Sequence, residues 1–141
     1  MIVTLEIIET IIFIVLSGIH WNWVFGGKWG FEYSIPTNLD GNKIFNPKKI
    51  ESSIVAIGLL CFATYYFLII GLISIEFPKW ISIYFGWVIS LIFILRFVGD
   101  FKYFGVFKKI KSSKFGEMDS KLFTPLCLII GLIGIIIELY K

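Results

Sequence analysis

Four stretches of this chain contain no Asp, Glu, Lys or Arg, and they constrain its fold more than any other feature. They cover residues 10–25, 52–75, 80–95 and 122–137, which are 16, 24, 16 and 16 residues long. A helix needs about 20 residues, most of them apolar, to cross a bilayer, and the three shorter runs reach about that length by including flanking residues, a few of which are charged. Lipid offers the backbone no hydrogen bonds, so spanning segments must be helices or a closed barrel, and alternating strands are missing here. The sequence therefore predicts an all-α, four-helix transmembrane bundle.

The composition agrees with a single integral membrane domain. Of the 141 residues, 57% are hydrophobic and 16% are charged, whereas soluble domains carry about 25% charged residues. This excludes a water-soluble fold, and the high hydrophobicity also excludes disorder. We expect spans at about residues 3–25, 52–75, 78–96 and 121–140.

Two prolines follow residues that commonly cap helices. Asn46 precedes Pro47, and Thr124 precedes Pro125. Proline is favoured at the first position of a helix, directly after the capping residue. The pattern predicts that the second spanning helix begins at Pro47 and the fourth at Pro125.

The cations are distributed unevenly between the two ends of the predicted bundle. The connection between the first and second spans holds four Lys, and that between the third and fourth holds seven Lys and Arg; the other end holds one in its short turn and one at the C-terminus. Segments rich in Lys and Arg stay in the cytoplasm. The sequence predicts a multi-pass protein of the cytoplasmic membrane with both termini on the outer side.

Polar residues on the first helix share one face. Glu6, Glu9, Phe13, Ser17 and His20 are spaced 3, 4, 4 and 3 residues apart, so they line one stripe of a helix. We expect this stripe to face the bundle or a partner. His20 is either an acid, base or ligand group or an interfacial histidine in a tryptophan belt. One histidine and no clustered thiols predict that no metal and no cofactor is bound.

Charged residues flank the third and fourth spans. Arg96 and Asp100 are four residues apart, which would pair them on a continuing helix, and Asp119 lies just ahead of the fourth span. The group either binds a phosphate or carboxylate or forms a structural clamp. Near the first span, Gly26, Gly27 and Gly30 either cradle an anion or form a turn.

Aromatic and basic residues alternate over residues 101–115. We expect the lysines of this segment to hold it on the anionic inner surface of the membrane. The predicted partners are therefore membrane lipids and not nucleic acid. The membrane-surface lysines are Lys102, Lys108, Lys109, Lys111 and Lys114.

A stripe of small residues in the third span favours close helix packing or a homo-oligomer face.

Several short motifs resemble a family of small bacterial membrane proteins known as domain of unknown function 3995. The resemblance covers nearly the whole chain and implies a four-span bacterial membrane protein without an assigned activity. Its most specific pieces are Arg-x-x-Gly-Asp-Phe and Asp…Pro-Leu-Cys. The motifs are His20-Trp21-x-Trp23, Gly26-Gly27, Ile35-Pro36, Phe45-x-Pro47, Arg96-x-x-Gly99-Asp100-Phe101, Gly105-Val106-Phe107-Lys108-Lys109, Phe115, Asp119 and Pro125-Leu126-Cys127.

We therefore expect a polar vestibule at the cytoplasmic face that binds a lipid headgroup or a small anionic ligand. Arg96 would hold the anionic group, and the vestibule would be lined by His20, Asn22, Arg96, Asp100 and Asp119. One alternative is a membrane-embedded enzyme that acts on a lipid-phase substrate through His20 and Asp100. The other is a small transporter or an accessory subunit.

Overall fold

The chain folds into long helices joined by two extended connections and one short turn. The computed structural model describes residues 1–38, 40–73 and 75–141, and these contain no β-strand apart from an isolated bridge between Thr37 and Lys43. The helices are α1 (Ile2–Val24), α2 (Phe31–Ser34), α3 (Lys49–Ile69), α4 (Lys79–Val98), α5 (Lys114–Met118) and α6 (Thr124–Tyr140).

Four helical stretches are long and apolar enough to cross a bilayer. They are α1, α3, α4 and the continuous segment Lys114–Tyr140. The predicted all-α bundle with four spans is confirmed. The second span is shorter than expected, because α3 ends at Ile69 and the chain turns at Gly71 with a φ of +84°. Residue 74, which falls within the predicted span, lies outside the described residues.

The bundle is built from two hairpins. Helix α1 packs along α3, α4 packs along α6, and α1 joins the two hairpins by packing against α6. Phe13 of α1 is completely buried and contacts the rings of Phe62, Tyr66 and Phe93. The connections place both termini at one end of the bundle and both lysine-bearing connections at the other, which we call the lysine-rich end.

The polar stripe of α1 faces inward, as its spacing predicts. Glu6, Glu9, Phe13 and Ser17 are buried, while His20 is half-buried. Ser17 donates a hydrogen bond of 2.8 Å to the carbonyl of Ala56 on α3. The helix therefore turns its polar groups toward protein rather than toward lipid.

The fourth spanning helix does not begin at Pro125. Helix α5 leads without a break through a π-helical turn, Asp119–Phe123, into α6. Proline lacks an N–H and crowds the carbonyl four residues earlier, which a wider turn relieves. Thr124 donates its N–H to the carbonyl of Asp119, five residues back. The Thr124–Pro125 pair therefore marks a local change of helix geometry inside a continuous helix.

The second spanning helix starts two residues later than predicted. Helix α3 begins at Lys49, and Lys48 is its capping residue in place of Asn46. The Glu51 carboxylate accepts a hydrogen bond of 2.6 Å from the Lys48 N–H. A glutamate one turn inside the helix therefore provides the partner for a backbone N–H at its start.

Exposed aromatic rings mark both ends of the bundle. Trp80 and Tyr140 lie exposed at the end that holds the termini, and Phe25 and Trp29 lie exposed at the lysine-rich end. The surface between them is covered by exposed aliphatic side chains. Such a belt–apolar–belt pattern is typical of a protein that sits in a bilayer with its aromatic rings at the two interfaces.

Candidate functional site

Asp119 is the centre of a hydrogen-bonded cluster at the lysine-rich end. Its side chain is completely buried. Oδ1 accepts from Arg96 Nη2 at 2.6 Å, and Oδ2 accepts from Lys108 Nζ at 3.0 Å, the Gly105 N–H at 3.0 Å and the Thr124 hydroxyl at 2.9 Å. A carboxylate offers about four acceptor sites. Asp119 therefore accepts four hydrogen bonds from the protein itself, three of them at Oδ2.

Arg96 has a buried nitrogen that the cluster does not use. Its Nη2 is bound to Asp119, whereas Nη1 is buried and has no hydrogen-bond partner among the described residues. The guanidinium lies 4.5 Å from the ring centroid of Phe104, which fixes its plane by cation–π contact. Arg96 and Lys108 together bring two positive charges to one carboxylate, so the cluster has an excess of one positive charge.

Asp100 does not pair with Arg96. Helix α4 ends at Val98, and Gly99 leaves the helix with a φ of +88°, so the four-residue spacing never becomes a helical contact. The Asp100 Oδ1 instead accepts backbone N–H groups from Lys102, Tyr103 and Phe104 at 2.7–3.1 Å. Partial burial would raise the pKa of Asp100, but these N–H groups outweigh it and hold that pKa below its ordinary value.

Two glycines allow the loop after α4 to fold back on itself. Gly99 and Gly105 have φ values of +88° and +89°, and their backbones touch, so a Cβ on either would collide with the other segment. The Val106 N–H donates to the Phe97 carbonyl at 2.8 Å. The Arg-x-x-Gly-Asp-Phe motif is therefore a compact turn that places the Gly105 N–H on Asp119.

Lys108 lies in the interior, contrary to the expectation that it sits on the membrane surface. It is only 3% exposed, and its Nζ contacts Asp119 and the Gly105 carbonyl. Sequence spacing gives no sign of this, because Lys108 and Lys109 are adjacent and chemically identical. The other lysines of the segment are exposed, namely Lys102, Lys109, Lys111 and Lys114.

Two phenylalanines of the same loop point away from the protein. Phe101 and Phe107 are 56% and 61% exposed, and their rings stack on each other at 6.0 Å. Phe101 has a left-handed φ of 63°, a conformation that is uncommon for any residue other than glycine. The fixed turn therefore presents a pair of apolar rings between exposed lysines.

His20 and Asn22 belong to a different part of the lysine-rich end. The His20 Nδ1 lies 2.9 Å from the Leu16 carbonyl and its ring packs on Trp23 at 4.7 Å, whereas the Asn22 side chain packs against Gly27. Within the described chain, no hydrogen bond connects either residue to Arg96, Asp100 or Asp119. The structure thus brings together Arg96 and Asp119 but not the whole predicted set.

The glycine-rich segment after α1 forms a turn. Gly26 and Gly30 adopt φ values of +92° and +70°, and the Trp23 Nε1–H donates to the Trp29 carbonyl at 2.7 Å. The turn borders an open cleft of about 440 Å³ that includes Lys28 and Lys43 among its lining residues. The predicted turn is therefore present, and anion binding by these glycines stays a prediction.

Comparison with known proteins identifies the chain's family. The family model described as "Protein of unknown function (DUF3995)" matches residues 13–134. No curated protein and no protein of solved structure matches the chain. The matched region contains every residue of the Asp119 cluster and the four spanning helices, apart from residues 2–12 of α1 and residues 135–140 of α6. The chain belongs to the DUF3995 family of proteins of unknown function.

Proposed function

We propose that this protein binds the phosphate of an anionic lipid headgroup at its lysine-rich end. The observation that carries the proposal is the Arg96 guanidinium, which is fixed by Asp119 and Phe104, has a buried Nη1 without a partner, and belongs to a side chain that is still 28% exposed. A phosphate oxygen is the natural partner for such a nitrogen, because arginine binds phosphate through paired, charge-assisted hydrogen bonds.

The charge of the cluster supports an anion as the ligand. Arg96 and Lys108 exceed Asp119 by one positive charge, and that excess lies in a poorly solvated place. A bound anion would neutralise it, whereas a cation would meet repulsion. Asp119 is itself negatively charged and would repel an anion, so it positions Arg96 and does not contact the ligand.

The exposed part of the loop supports a lipid as the source of that anion. Phe101 and Phe107 form an exposed apolar pair, and Lys102 and Lys109 are exposed beside them in the chain. Apolar rings enter the headgroup–acyl boundary while lysines remain among the headgroups, and each lysine near an anionic leaflet contributes about 1 kcal/mol. His20 and Asn22 are not needed for this binding mode.

Native mass spectrometry of the protein released from nanodiscs tests the proposal. The lipids are phosphatidylglycerol and phosphatidylcholine, and separate samples receive inorganic phosphate to distinguish a headgroup from a free anion. Arg96→Lys keeps the charge on Asp119 but loses Nη1. Lys109→Gln removes an exposed charge at the lysine-rich end, and Lys79→Gln removes one at the opposite end, where Lys79 is also exposed.

We expect the wild type to retain phosphatidylglycerol in preference to phosphatidylcholine. Lys109→Gln should weaken that retention about fivefold, which corresponds to about 1 kcal/mol, Arg96→Lys should weaken it further, and Lys79→Gln should leave it unchanged. Equal retention of phosphatidylglycerol by the wild type and Arg96→Lys would refute the proposal. If inorganic phosphate displaces the lipid, the ligand is a free anion and not a lipid headgroup.

A further inference from the structure

The end of the bundle that holds the termini contains a second group of polar residues, which the lipid proposal does not use. Glu9 of α1 is completely buried, and neither oxygen of its carboxyl group has a hydrogen-bond partner among the described residues. Burying an isolated carboxylate is very costly. An ionisable side chain inside a membrane-spanning helix is therefore a candidate functional group.

A second unpartnered polar group lies beside Glu9. Tyr66 of α3 is completely buried, and its hydroxyl also has no hydrogen-bond partner within the described residues. The Tyr66 ring stacks on Phe13, one helical turn from Glu9, with centroids 5.8 Å apart. On its other side the Tyr66 ring lies 5.3 Å from that of Tyr65, whose hydroxyl is 3.3 Å from Glu138 Oε1.

All four spanning helices meet around these groups. A Cβ added to Gly134 of α6 would run into the hydroxyls of Tyr66 and of Ser90 on α4. Ser90 is buried and donates its own hydrogen to the Gly86 carbonyl at 2.8 Å, so its oxygen can still accept. We take Tyr66 and Ser90, which meet at Gly134, together with Glu9, which is buried on the adjoining α1, as the polar centre of the bundle.

An ion pair leads from this centre toward water. The Lys141 Nζ lies 2.8 Å from Glu138 Oε1, 3.0 Å from the Tyr65 hydroxyl and 2.6 Å from the Ser82 carbonyl. The Glu138 side chain is 1% exposed and that of Lys141 is 27% exposed. Glu138 also lies against Gly86, where any larger residue would displace it. The pair therefore has one side in the bundle and one side in solvent.

We propose that Glu9 is a proton-binding site inside the bundle, which exchanges its proton with water through Tyr66 and the Glu138–Lys141 pair. In this exchange the Glu9 carboxylate takes up one proton to become the neutral acid, and releases it by the same route. A proton fits the centre better than a metal ion, since one carboxyl and two hydroxyls provide fewer oxygen ligands than Mg²⁺ or Ca²⁺ needs.

The titratable groups facing Glu9 set the balance of charge for this exchange. Glu6 lies on the same helix, Tyr65 and Tyr66 are buried on the adjoining α3, and Glu138 and Lys141 extend from α6. Helix α4 contributes the Ser90 hydroxyl and the Ser82 carbonyl. The three carboxyl groups of Glu6, Glu9 and Glu138 thus have one ammonium group to balance them. A proton bound to one carboxylate would reduce the excess of negative charge.

Labelling with dicyclohexylcarbodiimide tests the site in the full chain, reconstituted in lipid vesicles. This apolar reagent attacks carboxyl groups that are protonated and shielded from water, and peptide mass spectrometry locates the adduct. We expect the adduct on Glu9, with labelling that slows as the pH is raised. Glu9→Gln should lose the adduct, Glu9→Asp should keep one at residue 9, and Glu76→Gln, which alters an exposed carboxyl group, should label like the wild type.

Two results would overturn the proposal. One is an unlabelled Glu9 in folded protein whose Glu6 or Glu138 carries the adduct. The other is reaction of Glu9 with a water-soluble carbodiimide and an amine as fast as the exposed Glu76. Tyr66→Phe keeps the ring and removes only the hydroxyl, so an unchanged rate of Glu9 labelling in this variant would remove Tyr66 from the route.

Discussion

Arg96 at the end of α4 and Asp119 at the start of the π-helical turn are 23 residues apart, and their side chains meet at 2.6 Å between Nη2 and Oδ1. This contact closes the connection between the two helices of the second hairpin. Lys108 and the Gly105 N–H, both contributed by that connection, bind the other oxygen of the same carboxylate. One buried carboxylate therefore fixes the whole lysine-bearing loop against the end of the bundle.

Asp119→Asn should be the most damaging substitution in the cluster. It leaves two cations, Arg96 and Lys108, without a compensating charge in a buried place. Removing one partner from a buried ion pair costs about 3–5 kcal/mol. Thermal unfolding in detergent, followed by circular dichroism, should show a large fall in Tm, while Asp40→Asn at an exposed site should leave Tm unchanged. Equal Tm values for Asp119→Asn and wild type would show that the cluster does not hold the fold.

Lys108 and Lys109 provide a matched pair of neighbouring lysines. Lys108→Met removes two hydrogen bonds from a buried group, but Asp119 remains neutralised by Arg96, so we expect a loss of about 1–3 kcal/mol. Lys109→Met changes an exposed side chain and should alter stability by less than about 0.5 kcal/mol. Denaturant unfolding of the two variants measures the difference. A loss in Lys109→Met equal to that in Lys108→Met would contradict the buried position of Lys108.

Gly105→Ala should disrupt the turn that brings the loop to Asp119. The new Cβ would strike the backbone of Gly99, and the φ of +89° is unfavourable for alanine. We expect a cost above about 1 kcal/mol. The comparison is Gly18→Ala on the exposed side of α1, where nothing lies within 4 Å of the added Cβ and where alanine favours the helix. A lower Tm for Gly18→Ala than for Gly105→Ala in thermal unfolding would contradict the described turn.

Asp100 should make the stability of the loop depend on pH. The folded state holds the pKa of Asp100 below its ordinary value of 3.8, so its contribution is present above the unfolded pKa and is lost as the pH falls through the folded pKa. Because Asp100 is exposed, that contribution is modest, about 1 kcal/mol or less.

The matching measurement compares the Tm of the wild type with that of Asp100→Ala across pH. The wild type should be more stable at pH 7, and the difference should shrink as the pH drops below about 4. A difference that stays constant down to the lowest pH at which the protein remains folded would show that Asp100 does not act through its charge.

The sequence predicted those parts of the structure that depend on regular periodicity. The four spans follow from uncharged runs, and the inward face of α1 follows from the spacing of Glu6, Glu9, Phe13 and Ser17, because a helix repeats every 3.6 residues. The expectation that polar residues would not face lipid was correct for the same reason. These inferences need no knowledge of how the loops fold.

The parts that were missed depend on contacts distant in sequence or on local geometry. The Arg96–Asp100 spacing suggested a helical pair, but Gly99 ends the helix between them, and the partner of Arg96 is Asp119. Lys108 has no sequence feature that separates it from Lys109. Pro125 resembles a helix start, yet a π-helical turn absorbs it within a continuous helix. In each case the deciding contact is made by a residue at least ten positions away or by the backbone itself.

Cysteine labelling in intact cells tests most directly whether both long connections share the cytoplasmic side, where the lipid proposal places them. The background removes Cys61 and Cys127, and single cysteines are introduced as Asn46→Cys, Ser112→Cys and Glu76→Cys. A membrane-impermeant maleimide should label Glu76→Cys in intact cells, and the other two only after the membrane is opened. Labelling of Asn46→Cys and Ser112→Cys from opposite sides would contradict the four-span bundle, and labelling of both in intact cells would contradict its orientation.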